Sequence, residues 1–194
     1  FNTVSGTVQN LTVKGTITVN AGNVGGIAGY IDGGSILNCT NEADISGKNN
    51  VGGIVGMGKG EISKCVNTGG ITATTGAGGI IGYASDGTAI DNCANTGDIE
   101  STGTNAGGIS GSYSSTETIR YCYNTGNIKA KTNFAGGITG NTGYGKSLKI
   151  ENSYSTGTVT GVKNIGALIG GENGTGNEYT NVYCLGDTPI GSIK

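Results

Sequence analysis

The chain has 194 residues, of which 41 are glycine, one is proline and none is histidine or tryptophan. Glycine at this level, with charged residues at only 12 %, excludes a helical bundle and a charge-rich disordered segment, and the single proline excludes a collagen triple helix. The formal net charge of −2 with Arg120 as the only arginine leaves no basic footprint for nucleic acid or anionic membrane, and the lack of histidine removes the usual neutral-pH acid/base and the commonest zinc ligand. No apolar run approaches the ~20 residues of a membrane-spanning helix, so no membrane insertion is expected. The sequence opens on Phe1 without a start methionine and reads as a piece of a longer protein.

In chain order, the opening run TVQNLTVKGTI, from Thr7 to Ile17, reads as a truncated first unit within residues 1–22. From Asn23 a motif recurs: NVGGIAGY, then NVGGIVGM from Asn50, GAGGIIGY from Gly76, NAGGISGS from Asn105, FAGGITGN from Phe134 and NIGALIGG from Asn164. The first glycines of these copies are spaced by 27, 26, 29, 29 and 30 residues. A second run follows each: SILNCTN from Ser35, EISKCVN from Glu61, AIDNCAN from Ala89, TIRYCYN from Thr118, KIENSYS from Lys149 and the divergent EYTNVYC from Glu178. A short third run (ADIS, GGIT, GDIE, GNIK, GTVT) closes five of the units. Each run is about five residues, centred on an aliphatic residue and bounded by Gly, Asn, Asp or Ser, which is the signature of a strand between turns.

Three short strands in 26 to 31 residues bury no core alone, so the units must stack. The expectation is an all-β, parallel β-helix (β-solenoid) of about seven coils, right-handed, forming one domain: 1–22 the truncated coil, 23–186 six repeats, and 187–194 a terminal cap or linker marked by Pro189. At ~4.8 Å per coil the rod would be on the order of 34 Å long. Three columns should form its core: Ile27, Ile54, Ile80, Ile109, Ile138 and Leu168; Ile36, Ile62, Ile90, Ile119 and Ile150; Ile17, Ile45, Ile71, Ile99, Ile128 and Val159.

Cys39, Cys65, Cys93 and Cys122 hold one slot in four successive coils, where the other coils place Leu11, Ser153 and Val182. A slot that accepts Leu, Val, Ser or Cys is a small, mostly apolar inward site, which favours free thiols; one or two disulfides between stacked neighbours stay open. With no CxxC pair and no histidine, no metal site is expected, nor any cofactor. Asn41, Asn67, Asn95 and Asn124, with Cys184 in the same column, are expected to form an amide ladder at a turn. The aromatic candidates are Tyr123, Tyr154 and Tyr183, in the slot after the cysteine column, with Tyr121 two positions before Tyr123. If that slot faces outward they form a strip for a glycan or a protein.

Residues Gly140 to Ser147 match the phosphate-loop expression G-x-x-x-x-G-K-S, but a β run follows where a helix must stand, so a nucleotide is not expected. The acids, including Asp44, Asp98, Asp86 and Asp91, are scattered over turns and outer faces rather than paired for polysaccharide cleavage.

The pattern G-G-I-x-G followed by I-x-N-C-x-N-T-G-x-I resembles the GLUG repeat. Its Gly-Leu-x-Gly core stands as Leu168-Ile169-Gly170 behind Gly166-Ala167, and as Gly26-Ile27-Ala28-Gly29 with isoleucine for leucine. The resemblance implies a β-solenoid module of a secreted or wall-anchored bacterial protein, adhesin-like or the non-catalytic part of an immunoglobulin-A-cleaving metalloprotease. It carries no catalytic residues over. The expected function is a non-enzymatic cell-surface stalk or adhesion module, with flanking domains of a larger polypeptide and a host glycan or extracellular protein as partner. The alternatives are an accessory substrate-binding module of a secreted enzyme and a carbohydrate-active β-helix enzyme.

Overall fold

A computed structural model describes residues 1–114, 116–143, 147–186 and 188–191. Every strand pairing in it is parallel, between one coil and the next, and the strands stack into a β-solenoid of about six turns. One coil shows the pattern: Ile81–Ala84, Thr88–Asp91, Ala94–Asn95 and Ile99–Gly107. The last of these serves two positions, pairing with Ile128–Ala130 through Ser101 and with Asn133–Gly136 from Thr104 onward. A coil therefore has five rung positions, the first three in a large sheet and the last two in a smaller one. The three motif runs resolve into five because two of them turn a corner in mid-run.

Both corners have a backbone cause. Between the second and third positions the residue before the cysteine slot is left-handed in every coil: Asn10, Asn38, Lys64, Asn92, Tyr121, Asn152 and Asn181 have φ between 48° and 59°. Asparagine, which tolerates this conformation better than most residues, fills five of the seven. Asn23, Asn50, Gly76, Asn105, Phe134 and Asn164 are left-handed at the start of the fifth position, and the glycine pair that follows turns the chain onto the next coil. Thr3–Val4 pairs with Tyr30 and Ile31, so the opening segment supplies a first-position rung as well as the later ones.

The predicted columns are in register. Ile36, Ile62, Ile90, Ile119 and Ile150 are paired in sequence, as are Ile17, Ile45, Ile71, Ile99, Ile128 and Val159. Ile27, Ile54, Ile80, Ile109 and Ile138 are buried at the corner and Leu168 is partly buried. The interior divides into two apolar clusters, one behind the large sheet and one built on Val24, Ile45, Val51, Ile71, Ile99 and Ile128. The chain passes between them at the asparagine turn and at the glycine pair, and these two crossings touch. A Cβ on the second glycine of the pair, at Gly26, Gly53, Gly79 or Gly108, would overlap the side chain of Asn41, Asn67, Asn95 or Asn124. That close approach is why glycine is needed there.

Candidate functional site

The slot after the cysteine column faces outward and its tyrosines are in register: Ala94 pairs with Tyr123, Tyr123 with Tyr154, and Tyr154 with Tyr183. The rings of Tyr123 and Tyr154 lie 5.3 Å apart and 7° from parallel. Tyr154 is 40 % exposed and Tyr183 67 %. Tyr121, 54 % exposed, sits on the left-handed corner rather than in the column. Tyr154, Tyr183 and Leu185 line a shallow groove of about 190 Å³, and Leu185 is itself 69 % exposed.

The stack covers one face of each ring, so Tyr123 and Tyr154 offer edges, hydroxyls and one outer face each to a partner. A sugar ring binds an aromatic platform by lying on its face, whereas protein side chains and peptide groups pack readily against edges and hydroxyls. A second outward column, Tyr30, Met57 and Tyr83, is also in register and partly exposed. Its signal in the sequence is the residue closing IAGY, IVGM and IIGY.

The cysteines and asparagines form interior ladders. Cys39, Cys65, Cys93 and Cys122 are buried, free thiols, and each sulfur lies behind the left-handed corner. The Cys65 N–H donates to the Cys93 sulfur at 3.4 Å, the Cys93 N–H to the Cys122 sulfur at 3.4 Å, and the Cys122 N–H to the Ser153 hydroxyl at 3.0 Å. The slot thus supplies an acceptor to an amide that the corner turns away from the sheet, which a thiol or a hydroxyl can do. Burial pushes the Cys93 thiol well above its ordinary pKa, keeping it protonated. In the neighbouring column Asn41 donates to Asn67, Asn67 to Asn95 and Asn95 to Asn124, each at 2.7 Å, and Asn124 to the Ser155 hydroxyl at 3.2 Å. The second hydrogen of each amide goes to the carbonyl two residues on, Ala43, Gly69, Gly97 or Gly126.

The scattered carboxylates serve turns and surface pairs. Asp44 accepts from the Gly70 N–H at 2.8 Å, Asp98 from Asn127 at 2.9 Å and Asp86 from Thr116 at 3.3 Å, while Asp91 pairs with Arg120 at 3.3 Å. In the phosphate-loop match, Tyr144, Gly145 and Lys146 lie outside the described residues; Gly140 is in the strand Thr139–Asn141 and the chain continues as the strand Leu148–Ser155.

One acid escaped the sequence reading. Glu117 is wholly buried beside Tyr113 and the Ser110 hydroxyl, which favours its charged form, and among the described residues neither of its oxygens makes a hydrogen bond of good geometry. The Tyr113 hydroxyl, beside Thr142, and the Thr139 hydroxyl, whose residue pairs with Ser110, are buried and make no hydrogen bond of good geometry among the described residues either. Burial pushes the Glu117 carboxyl up to about 8 and the Tyr113 phenol above its ordinary value. The signal was available: Glu117 stands two residues before Ile119, hence on the same, inward side of its strand, where the adjacent coils have Thr88 and Leu148. Its exposure is 0 %, which makes it an interior group of the stack.

Parallel coils, interior ladders and outward columns define a β-solenoid repeat protein. The family described as "The GLUG motif" matches residues 20–46 and 73–100, two coils of the stack. The chain is similar in structure to a protein from Bacteroides ovatus described as a "putative immunoglobulin A1 protease", with a TM-score of 0.73 and 23 % sequence identity, over 92 % of this chain. The match spans 57 % of that protein's chain. Among curated proteins none matches the sequence significantly.

Proposed function

We propose that the chain is a non-catalytic, rod-forming module of a larger secreted or surface-attached bacterial protein, and that it holds a protein partner on the tyrosine column of Tyr123, Tyr154 and Tyr183. The observation that carries this reading is the exposed, in-register column, with two rings stacked at 5.3 Å beside the exposed Leu185. A solenoid pays no cost to hold such a column rigid, because each side chain is fixed by the rung beneath it. The fold relative's description supports a second reading, in which the module serves a secreted enzyme by holding its substrate.

The test is an array of extracellular proteins and glycans probed with the chain and with a Tyr123→Ala, Tyr154→Ala, Tyr183→Ala variant. Protein ligands should be retained by the first and lost by the second. Binding that survives in the triple variant sinks the column as the site, and capture of glycans alone would reverse the edge-on argument. Linkage of the captured protein to cleavage by the parent polypeptide would select the second reading.

A further inference from the structure

The tyrosine column offers side chains to a partner and no free backbone. Its rungs are paired on both sides: Tyr123 lies between Ala94 and Tyr154, and Tyr154 between Tyr123 and Tyr183. Their amides are used within the stack, the Tyr123 N–H donating to the Cys93 carbonyl and the Tyr154 N–H to the Cys122 carbonyl. An added β-strand therefore finds no edge to pair with here. An amphipathic helix needs a broad apolar groove, and this apolar surface is one side chain wide. Exposed Asn152 and Asn181 border it two positions before each tyrosine, and exposed Thr125 and Thr156 two positions after.

The column is also uncharged. From Thr40 to Tyr183 its positions hold threonine, valine, alanine and tyrosine, and the nearest charges, Arg120 and Glu151, are already paired with Asp91 and Lys149. An acidic or basic peptide has nothing there to pair with. What the surface does provide is the groove of about 190 Å³ walled by Tyr154, Tyr183 and Leu185, with the stacked pair of Tyr123 and Tyr154 next to it. A narrow, neutral groove with aromatic walls and no free backbone is the setting in which an extended, proline-rich segment docks.

We propose that the tyrosine column binds a proline-rich segment of its partner in the polyproline II conformation, an inference that rests on the column being the binding face of the module. Polyproline II has three residues per turn and rises ~3.1 Å per residue, so every third residue returns to the same side after ~9.3 Å. Two coils of the solenoid advance ~9.6 Å at ~4.8 Å each. A proline seated in the groove against Tyr183 therefore brings the residue three positions along beside Tyr123, two coils away. The ligand's carbonyls make no internal hydrogen bonds and its prolines have no N–H, so it needs donors alone. The hydroxyls of Tyr154, Tyr183 and Thr156, around the groove, are such donors. Side chains fixed by their rungs meet a ligand that is already extended, and little is left to be ordered on binding.

The probe is fluorescein-labelled oligo-L-proline of about ten residues, titrated with the chain and read by fluorescence anisotropy. It should bind saturably, while oligo-D-proline of the same length, which has the opposite hand, and a Gly-Ser peptide should each bind at least about tenfold more weakly. Tyr123→Ala and Tyr183→Ala should each weaken the L-peptide by at least about tenfold, and Tyr30→Ala, in the other outward column, should leave it unchanged; circular dichroism checks that the variants are folded. No saturable binding up to about 1 mM, equal affinity for the D-peptide, or an equal loss in Tyr30→Ala would overturn the proposal. A protein from the array that is lost in the triple tyrosine variant but is not displaced by oligo-L-proline would overturn it too, and would leave the column standing as the binding face. Oligo-L-proline binding that survives in the triple variant would remove both.

Discussion

Glu117 shows what a single residue can do to a repeat. Its register neighbours are Thr88 and Leu148, so the stack accepts a carboxyl where adjacent coils keep a hydroxyl or an aliphatic group. Among the described residues the groups facing it are Ser110 and Tyr113, with Glu172 beyond, and none of these supplies a positive charge. An acid whose folded pKa is about 8, against an ordinary 4.5, holds its proton in the folded state at pH values where the unfolded chain has lost it. Stability from this group is therefore complete below about pH 4.5, falls as pH rises toward 8 and is flat above. At about 1.4 kcal/mol per pH unit the change is on the order of 4 kcal/mol. Glu117→Gln should flatten the dependence between pH 5 and 8 (about the same interval) and raise the melting temperature at its upper end. Thermal melts of both proteins across that range decide it, and parallel pH profiles would show that Glu117 is solvated instead. The thiols give a second residue-scale expectation. Cys39, Cys65, Cys93 and Cys122 are buried while Cys184 is partly exposed, so a thiol reagent should label Cys184 in the native chain and all five cysteines after denaturation. Rapid native labelling at any of the four ladder positions, read by mass spectrometry, would contradict the ladder.

At the scale of the element, the corner rather than the strand carries the specificity. The second glycine of each pair touches the asparagine ladder of its own coil, so two motifs some fifteen residues apart in sequence form one joint. Gly79→Ala places a Cβ against Asn95 and the Gly108 carbonyl, both backbone-anchored, and is expected to cost at least about 3 kcal/mol. Gly6→Ala meets nothing within 4 Å and should be close to neutral. Denaturant midpoints for the pair test the difference, and comparable losses would mean that the joint is not close-packed. The strands, the three aliphatic columns and the stack itself were legible because each coil repeats the same aliphatic and turn residues. The corners were not, since left-handed φ at Lys64, Tyr121 and Phe134 is imposed by the register of the neighbouring coils rather than by the residue. The inward phase of Glu117 stayed hidden for a related reason. It departs from the repeat, and reading by repetition assigns a departure to the surface.

For the whole molecule, stability is carried by contacts between successive coils and by little else. A solenoid of this kind behaves as a row of units, each held by two interfaces in the middle of the row and by one at its ends. The burial pattern already shows the gradient: Ile71, Ile99 and Ile128 are buried, while Ile17 and Val159, the first and last members of the same column, are half-buried. Among the described residues Val159–Gly161 pairs with the preceding coil only. Opening should therefore begin at the ends and move inward, because an end coil gives up one interface and an inner coil two. Native-state hydrogen exchange is expected to rank Ile71–Gly78 and Ile99–Gly107 as the slowest strands, with Thr16–Thr18 and Val159–Gly161 exchanging first. Glu117→Gln should slow exchange in its own and adjacent coils more than at either end, because it relieves an interior penalty confined to those rungs. Uniform protection along the rod would mean that the chain opens as one cooperative block, and would rule out the row-of-units account.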